Sequence, residues 1–193
     1  MKDSSETDPA SNGKQTPQRI VIFRREDSVP LAESGAEETA AVDSVTLEGF
    51  TAMADAGLHD GHSERLLFQA PGMSLIYAWF RSGFPLPRHS HNADCVYYIV
   101  SGTIQFGTAT LSAGDGFFVP AEAAYTYMIG PEGVEVLEFR TDNRFDTKIL
   151  VKNASYYTKA AEFVAQHRDA WRTEKPPVRA LTKEEGLAAK GHA

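Results

Sequence analysis

The sequence has one cysteine among 193 residues. No internal disulfide can staple it, and a reducing compartment leaves that thiol free for a metal or for chemistry. Positive charge is also scarce: 19 Lys and Arg residues stand against 26 Asp and Glu, a formal net charge of −7 with no basic stripe to offset it. An acidic surface gains nothing from a phosphate backbone or an anionic lipid headgroup, which argues against nucleic-acid and membrane partners. Apolar runs never reach the ~18 residues of a membrane span. The opening Met1-Lys2-Asp3-Ser4-Ser5-Glu6 has no apolar signal core. No internal repeat is visible either. The expectation is a cytoplasmic protein whose partner is a small-molecule substrate.

What is present reads mostly as strand and turn. The length suits one domain with a buried core. Residues 1–17 are polar and read as a disordered tail, and residues 18–150 carry the main pattern as a barrel with an N-terminal arm. Within it, 19–23 is a compact apolar run that predicts a short strand. The acidic stretch through Glu33, Glu37 and Glu38 predicts a loop or weak helix wrapped around the core, and the alternation over 45–50 predicts another strand. His59-Asp60-Gly61-His62 reads as a polar surface turn. Strands over 65–69 and 73–80 flank the turn Ala70-Pro71-Gly72. Further strands are expected over 95–100, then as a hairpin about Gly107, over 117–119, from Tyr125 onward, and over 134–139 after a turn at Gly130-Pro131-Glu132-Gly133. Many short, evenly spaced strands predict an all-β barrel or sandwich. Residues 151–175 change period: Tyr157, Ala161, Val164, Arg168 and Trp171 recur at helical steps, with Ser155 as N-cap. This predicts one amphipathic helix, stopped by Pro176-Pro177, and 176–193 reads as a mobile tail.

The chain is organised around the stretch from Gly83 to Tyr125. Gly83-Phe84-Pro85-Leu86-Pro87 cannot be helical, so Arg88-His89-Ser90-His91 follows as extended chain. Side chains alternate on a strand, so His89 and His91 point the same way and can grip one object. Counting by twos adds Cys95, Tyr97 and Ile99 to that face and turns Val96, Tyr98 and Val100 outward. Such a histidine pair either chelates a transition metal or hydrogen-bonds inside the barrel mouth. Cys95 is either a thiolate ligand beside them or a small core residue.

This stretch resembles the cupin family of small double-stranded β-helix (jelly-roll) barrels. The first cupin motif, G-x5-H-x-H-x3-E-x6-G, is matched by Gly83, His89, His91 and Gly102, with Cys95 at the glutamate position. The second, G-x5-P-x-G-x2-H-x3-N, is matched by Gly114 and Pro120, with Glu122 at the glycine, Tyr125 at the histidine and Ile129 at the asparagine. The resemblance implies an all-β cupin barrel, here with a C-terminal amphipathic helix. It also implies a metal held by His89 and His91 with Cys95 and Tyr125 in the two altered ligand positions, as Fe, Zn or Cu. Tyr125 is either a ligand or, with Tyr97, a proton-transfer residue. Tyr127 shares the inward parity of Tyr125, and Glu122 lies in the loop beside the mouth.

Three functions follow from the resemblance. The first is a metal-dependent enzyme, dioxygenase-like in its oxidation or cleavage of a small organic substrate. The second is a metal-independent isomerase, cyclase or lyase that uses Tyr125 and a histidine. The third is a binding module without turnover. The outward row of Val96, Tyr98 and Val100 predicts a homodimer.

Overall fold

The computed structural model describes residues 20–176. The expected tails, apart from residue 176 and the start of the barrel arm, lie outside the described residues. Two sheets make the body. The larger runs in the order β1 (Val29–Pro30), β3 (His62–Ala70), β4 (Met73–Phe80), β9 (Met128–Arg140), β6 (Cys95–Phe106) and β7 (Ala109–Ser112), with β8 (Gly116–Val119) also on β6. The smaller joins β2 (Glu37–Thr39), β10 (Phe145–Ile149) and β5 (His89–Ser90). All pairings are antiparallel except β10 with β2. A cavity lies between the sheets, because its lining draws on β3, β4, β6 and β9 from one and on β2, β5 and β10 from the other. This is the expected β-barrel with a C-terminal helix.

Strand β6 shows why the residues sit as they do. Cys95, Tyr97 and Ile99 are buried while Val96 and Tyr98 are each 50% exposed, the period-2 alternation of a sheet with one covered face. Val96 stands opposite Phe118 on one side and Phe139 on the other, and both are exposed, so an apolar strip runs across three outer strands. Val100 is only half-buried. Where β6 and β9 cross, Gly102 takes φ 78°, and a Cβ there would lie 2.0 Å from the Gly133 carbonyl oxygen. Only glycine fits that approach.

Several expectations are corrected. The 45–50 stretch is no strand but the start of helix α2 (Ser44–Ala56). Asp43 caps it by accepting the Thr46 amide at 2.8 Å. The alternating apolar residues that mimicked a strand lie outside, with Leu47 60% exposed, while Thr46, Gly49 and Met53 face inward. Residues 20–23 form no strand and leave Ile20, Val21, Ile22 and Phe23 exposed. The acidic stretch divides into the short helix α1 (Leu31–Ser34) and β2. Tyr125 belongs to no strand and makes one isolated bridge with His89. The expected turn at 130–133 is a bulged part of β9, and β10 had no strand signal strong enough to predict it. Helix α3 (Ala154–Trp171) is where its period predicts, but Asn153 rather than Ser155 caps it, its side chain accepting from the Ser155 amide. Tyr157, Ala160, Val164 and Trp171 bury its inner face. Gly49 of α2 meets Tyr157 so closely that a Cβ would lie 2.1 Å from the ring. Among the described residues no helix is long and apolar enough to cross a membrane.

Candidate functional site

The two motif segments are brought together by backbone hydrogen bonds. The His89 amide donates to the Tyr125 carbonyl at 3.0 Å, and the Tyr125 amide returns the bond at 2.9 Å. The Glu122 amide donates to the His91 carbonyl at 2.7 Å, and Asp94 Oδ1 accepts the Ala121 amide at 2.7 Å. The second loop is thus tied along the histidine segment. Glu122 holds φ 64°, a left-handed backbone at the position where the cupin motif has glycine. Its carboxylate does not line the cavity; it pairs with Lys148 Nζ at 2.8 Å in solvent.

His89, His91, Tyr97, Tyr125 and Tyr127 all line the cavity, as their parity predicts. The imidazoles are 5.0 Å apart between ring centres, and His89 lies 4.4 Å from the Tyr125 ring. His89 Nδ1 donates to the Pro87 carbonyl at 2.7 Å, which makes Nε2 the lone-pair nitrogen. Burial holds this ring below the usual imidazole range, helped by the charge of Arg140 and opposed by the Pro87 bond. The Tyr97 and Tyr125 hydroxyls bond to each other. Burial raises both phenols far above their ordinary range, and the Glu138 charge adds to this, so both stay protonated. Tyr97 is further fixed by stacking on Phe117, 4.6 Å between centres.

The floor of the cavity is built from residues that carried no motif. Arg140, 3% exposed, donates from Nη1 to Glu138 Oε2 at 2.5 Å and from Nη2 to His91 Nε2 at 3.2 Å. Burial pushes the Glu138 carboxyl up and Arg140 pulls it back. The short contact to a permanently charged guanidinium makes an ion pair. His91 Nδ1 in turn bonds the Asp146 carbonyl at 2.8 Å and the Thr147 hydroxyl at 3.2 Å, and that hydroxyl donates to Glu37 Oε1 at 2.5 Å. Burial, then Arg140 and His89, push the His91 imidazole down to about 3. Glu37, His91, Arg140 and Glu138 therefore form one continuous polar chain.

His62, expected on a surface turn, is half-buried and lines the cavity, whereas His59 is exposed. His62 Nδ1 lies 3.4 Å from Glu64 Oε2. Burial raises Glu64, but His62, Arg140 and His89 outweigh it and hold the carboxyl below its usual range. Burial and the Glu64 charge raise Glu37. Phe50 and Met53 of α2, with Leu31 and Phe84, supply apolar lining. The cavity measures about 160 Å³. That is close to the ~150 Å³ that holds a single aromatic ring in a protein interior.

The four expected metal ligands do not fit a metal as they are arranged. His91 Nε2 is taken by a guanidinium, whose charge also repels a dication. Cys95 is fully buried and outside the cavity lining, and its Sγ lies 3.7 Å from the Val96 carbonyl. Burial pushes the thiol up to about 12, so it is the small core residue of the two readings. Tyr125 is bound to Tyr97 as a protonated phenol. Only His89 Nε2 offers a ready lone pair. Among the described residues no group of His, Cys, Asp and Glu is disposed to hold a metal ion.

The fold and the site together define a tyrosine-lined pocket in a jelly-roll barrel with a C-terminal helix. No protein-family model matches the chain, and no curated protein matches it. The solved structures it is similar to are cupin-like. One is an RmlC-like cupin from Shewanella frigidimarina NCIMB 400, 24% identical over 42% of this chain and 77% of that one, TM-score 0.39. Another is the polyketide cyclase RemF from Streptomyces resistomycificus, 18% identical over 54% and 83%, TM-score 0.44. A third is a protein of unknown function with a cupin-like fold from Ralstonia eutropha JMP134, 20% identical over 68% and 89%, TM-score 0.42.

Proposed function

We infer that the cavity carries out metal-independent proton transfer on a compact organic molecule, of the kind that isomerises, cyclises or eliminates. The supporting observation is His89 beside the Tyr97–Tyr125 pair. Its Nδ1 is committed to Pro87 while Nε2 keeps its lone pair, next to phenols that stay protonated. A neutral buried imidazole accepts a proton, and a protonated phenol delivers one to an oxygen or carbon within reach. Apolar side chains, among them Phe50, Met53 and Phe84, line the same cavity. Metal-dependent oxidation, the other chemistry the resemblance implies, would draw on His89 and His91, and His91 Nε2 is engaged by Arg140.

The test is solvent deuterium exchange. The protein is incubated in D2O with single-ring ketones, enones and phenols, and the C–H signals of each compound are followed by NMR. The expected result is deuterium entry at carbon in at least one of them, with His89→Gln and Tyr125→Phe each slowing it by about 10²–10⁴-fold. Exchange that neither variant slows, or compounds that bind and are released without exchange, overturns the reading; the second outcome leaves a binding module.

A further inference from the structure

We propose that Arg140 is an internal cation lock: its guanidinium takes the place between Glu138 and His91 that a divalent metal would need, and so keeps the His89–His91 pair metal-free. Across the β6–β9 pairing, Arg140 stands opposite Cys95 and Glu138 opposite Tyr97. Both charged residues therefore enter on the histidine face, continuing the buried parity of Val134 and Val136. The guanidinium bridges a carboxylate oxygen at 2.5 Å and an imidazole nitrogen at 3.2 Å. Its plane rests on the Phe145 ring, 4.1 Å from Cζ to the centre. His91 cannot present another nitrogen, because Nδ1 is held by the Asp146 carbonyl.

Arg140 bridges one imidazole, His91, and one carboxylate, Glu138, and the His89 ring stands 5.0 Å from that of His91; these are donor types that occur in open divalent-metal sites. Glu138 supplies from β9 the carboxylate that position 95 lacks. A rigid planar cation with fixed donors satisfies that carboxylate and the His91 nitrogen at once. The lock does not depend on turnover, so it stands or falls separately from the proton-transfer reading.

The experiment is a Co(II) titration followed by visible absorption and equilibrium dialysis. Wild type is expected to take up none at the histidines. Arg140→Ala, checked for folding by circular dichroism, is expected to bind one Co(II) at least about tenfold more tightly than wild type, and His91→Ala in that background to abolish the gain. Folded Arg140→Ala that binds no more than wild type overturns the lock. A second measurement needs no variant: the ring ¹⁵N resonances of His89 and His91 in wild type are expected to stay in place under excess Zn(II). Joint movement of both overturns the proposal.

Discussion

Arg140 and Trp171 are both almost wholly out of solvent, at 3% and 0% exposure, but they are buried on different terms. Around Trp171 the side-chain partners are largely rings: Phe84 lies 6.1 Å, Phe163 6.2 Å and His167 6.2 Å away between ring centres, and the indole N–H donates to the Ser82 carbonyl at 2.9 Å. Shape and area hold that region. Around Arg140 the guanidinium lies over the Phe145 ring, bonds His91 and has its charge answered by the Glu138 carboxylate. Loss of one member strands its partner in a medium that cannot solvate it.

The largest expected effects test that contrast directly. Trp171→Ala and Arg140→Ala should each lower unfolding free energy by about 3–5 kcal/mol in urea titrations, through a cavity in one case and an orphaned Glu138 in the other. A second substitution separates them. Arg140→Met with Glu138→Leu should recover most of the loss, since no unpaired charge remains. If the double variant is as unstable as Arg140→Ala, the floor too is held by shape and the contrast disappears.

A smaller effect comes from pH. His91 is held near 3 in the folded protein, against about 6.5 when unfolded, so acid protonates the unfolded chain first. Its contribution to stability is complete above about pH 6.5 and is lost as pH falls toward 3, by a few kcal/mol. His91→Asn should flatten that limb of a stability-against-pH curve. Trp171→Ala should leave the limb unchanged. Smallest of all, Asp43→Ala should cost about 1 kcal/mol by freeing the Thr46 amide at the start of α2, read as a drop in the urea midpoint.

The same contrast explains what could be read in advance. Strand β4 was legible to the residue, because a Pro-Gly turn precedes an unbroken β-rich run. Helix α3 was legible from its period. Helix α2 was not, because its buried face is made of Thr46 and Gly49, small residues chosen by the approach of Tyr157, while its visible apolar alternation faces solvent. His89, His91 and Tyr125 stood at motif positions and Tyr97 was placed by parity, and all four do line the cavity. Glu138 and Arg140 carried none. Their one signal was parity, since both continue the inward count of Val134 and Val136. Charge on a buried stripe reads as a mistake until its partner is known, and here the partner is His91, which follows β5 of the other sheet. Glu37 and Glu64 were hidden for a similar reason, lying on strands whose facing neighbours only the folded barrel reveals.

The division of labour between α2 and the strands has one more consequence. Phe50 and Met53 supply apolar wall to the cavity from α2, and neither belongs to the polar chain of Glu37, His91, Arg140 and Glu138. Exchanging those two side chains for smaller or larger ones would alter which guests are admitted while the proton-handling groups stay as they are. The barrel can thus be re-specialised one helix face at a time, with its reactive interior inherited intact.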